Sequence, residues 1–208
     1  MNDLKKSLEQ KFDPTEWRGF NSFRSYKFTG ENLIEEINSL DPDLVLDVGC
    51  GHNRFKGHIK NLIGFDQEPF PFADLQMSIE DAKFRLESAD IALVLGSVQF
   101  GSKETIELQL DKIVSWVKPG GYIVMRTKQK RFRKNVDLYK DKRYTWSLED
   151  VEYFTKKYEL ILLKSPVIEE VYKKDNEVAS TKMSWWWQKA GERKKYYIDP
   201  VSCEIFER

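Results

Sequence analysis

Two short apolar runs flank an amphipathic segment in the middle of the chain. The runs cover residues 91–95 and 122–125, and the apolar residues between them fall on one helical face: Ile106, Leu110, Ile113, Val114 and Val117. A strand, a helix and a second strand in this order form the right-handed crossover unit of parallel sheets. The sequence therefore predicts an α/β fold.

Other apolar runs extend this sheet in both directions. Strands are predicted at 44–48, 62–66 and 160–163, and the tryptophan-rich segment 181–189 is predicted to be an antiparallel strand near the C-terminus. Helices are predicted from Leu33 to Leu40 behind a cap at Thr29, from about Asn53 to Lys60, and after a cap at Ser147. We expect a doubly wound, mainly parallel sheet of the seven-stranded type with helices on both faces.

Length and composition favour one globular domain. The chain has 208 residues, of which 40% are hydrophobic and 33% charged, and it carries no net charge. We expect a lead-in at 1–30 and a single domain at 31–208. No apolar stretch approaches the ~20 residues that span a bilayer, so we expect a cytoplasmic protein without a membrane partner. The two cysteines have neither a disulfide framework nor zinc-ligand spacing.

A glycine turn follows the first predicted strand. In the segment Asp47-Val48-Gly49-Cys50-Gly51 the glycines lie where the backbone must turn tightly and where a ligand can approach the sheet. A dinucleotide fingerprint needs a glycine where Arg54 stands, and the lysine of a phosphate-binding loop is missing. NAD and ATP are therefore disfavoured, although an ordinary strand-to-helix turn remains an alternative.

The stretch from Leu46 to Gly51 resembles the first motif of class I S-adenosylmethionine-dependent methyltransferases. Asn53 replaces that family's third loop glycine, and Pro119-Gly120-Gly121 resembles its turn into the fifth strand. The resemblance implies that Asp66 accepts hydrogen bonds from the cofactor ribose, with Glu68 as the alternative. It also implies a set of positions that bind S-adenosylmethionine: Asp47, Gly49, Cys50, Gly51, Asn53, Asp66, Gln67, Ser78, Ile79, Gly96 and Ser97.

The resemblance implies in-line methyl transfer from the sulfonium, which requires no metal and no covalent intermediate. A catalytic residue is left unassigned. His52 is interpreted as a polar residue near the start of the first predicted crossover helix, His58 as a surface residue and Cys50 as a small filler. The segment that follows the predicted strand 91–95 lacks the motif that amino-group methyltransferases of DNA use. A small-molecule acceptor is favoured, with RNA or protein as alternatives.

Two segments are candidates for binding the methyl acceptor. Residues 126–143 contain nine basic and two acidic residues, although a solvated charged loop has the same composition. The basic residues that could contact nucleic acid are Lys128, Lys130, Arg131, Arg133 and Lys134. The alternative function is a non-catalytic methyltransferase-like module that binds nucleic acid or a protein through this segment. In Trp185-Trp186-Trp187 the outer rings should share one sheet face, lining either a pocket or the core.

Overall fold

The structure is a computed structural model that describes residues 30–128, 144–172, 178–192, 196–198 and 205–207. The chain divides into two compact units, Met1–Leu33 and Ile34–Arg208, and the sheet lies in the second. Several residues considered above fall outside the described residues: Thr29, Lys130, Arg131, Arg133, Lys134 and Cys203.

Seven strands form one mixed sheet in the order β3-β2-β1-β4-β5-β7-β6. Only β7 runs antiparallel to its two neighbours, β5 and β6. This confirms the predicted α/β sheet with its antiparallel C-terminal strand. The strands are β1 Val45–Val48, β2 Leu62–Asp66, β3 Leu75–Gln76, β4 Ala89–Leu95, β5 Val117–Lys128, β6 Leu160–Tyr172 and β7 Val178–Lys189. A separate antiparallel pair, β8 Tyr196–Ile198 and β9 Ile205–Glu207, was not predicted.

Three helices occur in the described part of the chain: α1 Leu33–Ser39, α2 Lys103–Trp116 and α3 Leu148–Lys157. Helix α2 begins after Ser102, whose side chain accepts a hydrogen bond from Thr105 N. Helix α3 begins at the predicted Ser147 cap, where Ser147 and Asp150 form a reciprocal capping box. These two helices are the crossovers β4–α2–β5 and β5–α3–β6.

The prediction of a helix over 53–60 is wrong. The segment forms turns with an isolated bridge between Lys56 and Ile59. The backbone φ angles are 49° at Asn53 and 81° at Gly57, and residues in this left-handed region interrupt a right-handed helix. The buried residues Phe55 and Ile59 keep helical spacing but pack within a single turn.

The next two connections contain no described helix either. Strand β3 has only two residues and lies in the short, proline-containing stretch 67–77. Residues Pro119-Gly120-Gly121 were predicted to precede a strand, but they lie inside β5. There the register steps from Ala89–Val117 to Ile91–Tyr122, so β5 carries three more residues than β4 across that interval. The step is an irregularity of the β-bulge type.

The core lies mainly between the sheet and helices α2 and α3. The outer tryptophans Trp185 and Trp187 pack on this face, with ring centroids 5.2 Å and 6.4 Å from the ring of Trp146. Trp186 lies on the opposite face, where it contacts Tyr122 and the ammonium group of Lys164. Lys164 also pairs with Glu36 of α1, which places α1 on this second face. Helices therefore cover both faces, and the outer tryptophans belong to the core.

A buried ion pair joins three strands at their amino ends. Lys118 Nζ lies 3.2 Å from both carboxylate oxygens of Asp90 and 3.5 Å from Asp43 Oδ2. Asp90 Oδ2 also accepts hydrogen bonds from the backbone amides of Asp43 and Leu44. The group fixes the starts of β1, β4 and β5 relative to one another. Among the described helices, none is long and apolar enough to cross a membrane.

Candidate functional site

The carboxyl ends of β1, β2 and β4 meet at one edge of the sheet. The glycine turn after β1 bends over β2, where the backbone amides of Gly49 and Cys50 both donate to Phe65 O, at 2.9 Å and 3.0 Å. Ligands of open α/β sheets bind in the crevice outside these strand ends. The candidate site is this crevice.

The two glycines of the turn have similar backbone angles but different surroundings. Both have left-handed φ angles, 68° at Gly49 and 53° at Gly51. A Cβ on Gly49 would lie 2.4 Å from the Cβ of Ser97, the second residue after β4, so the turn and the β4 loop are in direct contact. A Cβ on Gly51 would meet nothing within 4 Å. The backbone at Gly51 is therefore open to a ligand.

Asp66, the last residue of β2, holds the turn in place. Its Oδ2 accepts a hydrogen bond of 2.9 Å from the amide of Gly51, and its Oδ1 accepts one of 2.9 Å from the amide of Glu68. An ionised carboxylate has about four lone-pair sites, so each oxygen retains capacity for a ligand hydroxyl. Burial raises the pKa of Asp66, while the backbone amides act to lower it.

Asp47, at the end of β1, is the most deeply buried acid of the site, with 4% of its surface exposed. Burial, together with the nearby charge of Asp66, raises the pKa of Asp47 to about 7, against an opposing effect of Arg126. A buried carboxyl with such a pKa is poised to change its charge when a cationic ligand arrives.

Asn53 has a left-handed backbone, with a φ of 49°, and its side chain is buried beneath the turn. Its amide donates to Phe72 O at 2.7 Å and to Asp74 Oδ2 at 3.2 Å. A Cβ on Gly64 of β2 would lie 2.5 Å from Asn53 Oδ1. Asn53 therefore ties the turn to the β2–β3 connection, and its side chain is directed away from the open space at Gly51.

Cys50 does not lie beside a helix N-terminus, because the helix predicted over 53–60 is absent. Burial and the nearby carboxylates of Asp47, Asp66 and Asp74 raise the pKa of its thiol. A protonated thiol is a poor nucleophile, which agrees with the filler interpretation.

His52 packs edge-on against Phe70, with ring centroids 4.9 Å apart. Burial and the charge of Arg54 lower the pKa of His52, while Asp66 acts to raise it. The sequence analysis missed the contact between these two rings because Phe70 lies in the β2–β3 connection. His58 is exposed, as expected.

The remaining predicted positions lie in different surroundings. Gln67 is exposed directly after Asp66, and Gly96 adopts a φ of 114° beside Ser97. Ser78 follows β3, where its hydroxyl bonds to Asp81, and Ile79 is buried in the core cluster. The structure thus brings together Asp47, Gly49, Cys50, Gly51, Asp66 and Ser97.

The crevice has the polar groups that S-adenosylmethionine would need. Asp66 has free acceptor capacity for ribose hydroxyls, Asp47 is an acid beside the turn, and Gly51 leaves room for a ligand. Among the described residues, the buried hydroxyl oxygen of Ser97 has no hydrogen-bond partner. An orphaned buried polar atom costs about 1–3 kcal/mol unless something else satisfies it. These residues fit the cofactor. No metal-ligand cluster occurs among the described residues.

The floor of the crevice beyond β4 is held by a second set of contacts. Gln99 Oε1 accepts a hydrogen bond from the amide of Lys128 at the end of β5, at 3.1 Å. Trp146 donates through Nε1 to Val98 O at 2.9 Å and through its amide to Lys128 O at 3.0 Å. No local sequence pattern indicates these links, because they join segments far apart in the chain.

Solved methyltransferases share this architecture at low sequence identity. The 1,6-didemethyltoxoflavin-N1-methyltransferase of Burkholderia thailandensis, solved with 1,6-didemethyltoxoflavin and S-adenosylhomocysteine, matches with a TM-score of 0.64 and 13% identity over 91% of this chain and 90% of that one. The N-methyltransferase NodS of Bradyrhizobium japonicum WM9, in complex with S-adenosylhomocysteine, matches with a TM-score of 0.63 and 16% identity over 90% and 98%. The chain has the class I methyltransferase fold.

No protein-family model and no curated protein sequence matches the chain.

Proposed function

We propose that this chain is an S-adenosylmethionine-dependent methyltransferase that acts in the cytoplasm on a small molecule. The observation that carries the proposal is the hydrogen bond between the Gly51 amide and the Asp66 carboxylate beneath an open backbone. It puts an acidic acceptor and an unobstructed turn side by side at the sheet edge where ligands bind. The bound S-adenosylhomocysteine in two solved proteins of the same fold supports this choice of ligand.

Each residue of the crevice has a defined task under this proposal. Asp66 accepts hydrogen bonds from the ribose hydroxyls, and Asp47 provides negative potential for the positively charged end of the cofactor. Gly51 allows the cofactor close to the backbone, and Ser97 supplies a hydroxyl between the turn and β4. S-adenosylmethionine itself supplies an activated methyl group, so the chain has chiefly to orient donor and acceptor in line.

The proposal is tested first by titrating the protein with S-adenosylmethionine and S-adenosylhomocysteine in a calorimeter. We expect both to bind, and Asp66→Asn to lose affinity because the amide presents one acceptor fewer. Glu68→Gln is the matched control, a second acid two residues further on. Absence of binding by the wild-type protein would refute the proposal, and loss of affinity only in Glu68→Gln would assign the ribose contact to Glu68.

A second test separates ligand access from backbone strain. Gly51→Ala and Gly57→Ala both place a side chain at a left-handed position with open space around it, at φ 53° and 81°. Each should cost about 1–2 kcal/mol of stability. Only Gly51→Ala should weaken S-adenosylhomocysteine binding, because only its methyl group enters the crevice. Equal affinities in the two variants would place the ligand elsewhere.

Transfer is then measured with labelled S-adenosylmethionine on a metabolite fraction, with nuclease-treated and protease-treated lysate alongside. We expect label in the metabolite fraction. The binding-module alternative is supported instead if the protein binds RNA in a salt-sensitive way and binds neither form of the cofactor.

A further inference from the structure

Cations face each other across strands at the carboxyl end of β5. Lys128 of β5 lies directly opposite Lys182 of β7, and Lys182 lies opposite Glu169 of the edge strand β6. Arg126, two residues before Lys128, projects from the same face of the sheet because side chains alternate along a strand. Three basic residues thus share one small area, with Glu169 beside them.

This arrangement opposes folding. Directly opposed residues of antiparallel strands have Cβ atoms about 4.5–5.5 Å apart, and like charges in such pairs are destabilising. Burial lowers the pKa of Arg126 and that of Lys182, and the charge of Arg126 lowers the pKa of Lys182 further. Among the described residues, the opposing attraction on Arg126 comes from Glu169 and Asp47, and that on Lys182 comes from Glu169. Departures of this kind from favourable pairing are expected at functional sites.

The cations lie next to the candidate cofactor site. Arg126 pairs with Leu95, the last residue of β4, which is followed by Gly96 and Ser97. Asp47 lies on the same face, since it aligns with Leu93 of β4, two residues before Leu95. The strand register therefore puts Arg126 between the turn after β1 and Lys182 of β7.

The backbone that carries the cations is fixed. The amide and the carbonyl of Lys128 are both held, by Gln99 and by Trp146. Residues on strands whose ends are anchored hold a ligand more precisely than residues on loops. The cations are thus placed at one position rather than spread along a surface.

We propose that Arg126 and Lys182 bind the anionic group, a carboxylate or a phosphate, of the small-molecule methyl acceptor. The inference rests on the proposed function, since it places this anion beside the donor site. Arginine offers a planar fork of donors that matches either group, and lysine adds a point charge. A bound anion would reduce the repulsion between Arg126 and Lys182. Asp47 and Glu169 bound the cations on two sides, which suits one anionic group better than a continuous run of phosphates.

The test titrates inorganic phosphate and succinate separately into the full-length protein at low ionic strength, without and with saturating S-adenosylhomocysteine. We expect one of the two anions to bind, and which one binds distinguishes a phosphate from a carboxylate. Lys182→Gln and Arg126→Gln should each weaken binding about tenfold. The matched control is Lys164→Gln, since Lys164 is a cation on the same face that already pairs with Glu36 and lies 4.2 Å from the centroid of the Trp186 ring. It should leave anion affinity unchanged.

Failure of this inference can be told apart from failure of the proposed function. If S-adenosylhomocysteine binds but neither anion does, or if the anion binds equally well to Lys182→Gln, the anion site is refuted and the cofactor site stands. If an anion binds and is lost in Lys182→Gln while S-adenosylhomocysteine does not bind, the cofactor proposal fails alone. Tight, salt-sensitive binding of a single-stranded oligoribonucleotide, weakened in Lys182→Gln and without binding of either small anion, would overturn the small-molecule assignment.

Discussion

Gly49 has no room for a Cβ atom, because the turn after β1 packs directly against the loop after β4 at this position. The Cβ of Ser97 occupies the place that a side chain at position 49 would need. Gly51, two residues on, has a similar backbone angle but open surroundings. The two glycines therefore serve different purposes, and substitutions at them should have different consequences.

Gly49→Ala should destabilise the protein by about 2–4 kcal/mol, because it adds a clash with Ser97 to the strain of a left-handed backbone at φ 68°. Urea unfolding of the single variants and of Gly49→Ala/Ser97→Gly measures the coupling between the two positions. The double variant should recover about 1–3 kcal/mol, since Ser97→Gly removes the clashing atom. Purely additive effects would mean that the two loops are not in contact.

The carboxyl of Asp47 should make stability depend on pH in the direction opposite to that of most carboxylates. Its pKa is about 7 in the folded protein, whereas an unfolded aspartate has a pKa of about 3.9. Between these values the folded state holds a proton that the unfolded state has released, so unfolding becomes easier as the pH rises. The stability that this proton contributes is fully present below about pH 4 and is lost as the pH rises through about 7.

Asp47→Asn is neutral at every pH and removes this dependence. Relative to wild type, its free energy of unfolding should therefore increase by about 2–3 kcal/mol between roughly pH 5 and pH 8. Urea unfolding of both proteins across this range, without ligand, measures the difference. Parallel pH profiles would show that the Asp47 carboxyl is ionised throughout.

At the scale of elements, the apolar runs were sufficient to predict β1, β2 and β4, because strands buried on both faces need uninterrupted apolar residues, whereas the short strands β3, β8 and β9 were not predicted from such runs. The helix predicted over 53–60 failed since Phe55 and Ile59 have helical spacing while Asn53 and Gly57 take up left-handed backbone angles. The spacing of apolar residues indicates which side chains are buried, but it does not indicate the backbone angles of the residues around them. The same limit explains why the register step at Pro119-Gly120-Gly121 was not predicted.

The two serine caps differ in the hydrogen bonds that they form, so their substitution by alanine should reduce stability by different amounts. Ser147 accepts a hydrogen bond of 3.2 Å from the amide of Asp150, whose carboxylate in turn accepts one of 2.8 Å from the amide of Ser147. Ser102 accepts a longer bond, of 3.4 Å, from Thr105 N, and no reciprocal capping box is formed there. Ser147→Ala should cost about 1 kcal/mol or more and Ser102→Ala distinctly less. Thermal unfolding of the two variants checks the order, and a larger loss in Ser102→Ala would contradict it.

At the scale of the whole molecule, sequence reasoning predicted the residues at the carboxyl edge better than their partners. The glycine turn, Asp66 and Ser97 were predicted at this edge because each directly follows an apolar run that ends there. The bonds of Asn53 to Phe72 and Asp74, the Phe70 ring beside His52, and the alignment of Lys128 with Lys182 were not predictable. Each depends on how segments that are distant in the chain align. Strand register cannot be predicted from local residue spacing or from composition.

We expect the two edges of the sheet to separate stability from binding. The buried pair of Lys118 and Asp90 lies at the amino ends of β4 and β5, whereas Asp47, Gly51 and Asp66 lie at or beyond carboxyl ends. Removing one partner of a buried ion pair typically costs about 3–5 kcal/mol, because the remaining buried charge loses its counter-ion. Lys118→Met should therefore lower stability by this amount and leave S-adenosylhomocysteine affinity unchanged at a temperature where the variant is folded.

The double variant Lys118→Met/Asp90→Asn should regain part of the lost stability, since it no longer buries a carboxylate without its lysine counter-ion. Urea unfolding and calorimetric titration on the same samples measure both quantities. Asp66→Asn should show the converse pattern, with a loss of affinity that exceeds its loss of stability. If Lys118→Met lowered affinity as strongly as Asp66→Asn does, the amino edge would be coupled to the ligand crevice through β4 and β5, and the separation of the two edges would be wrong.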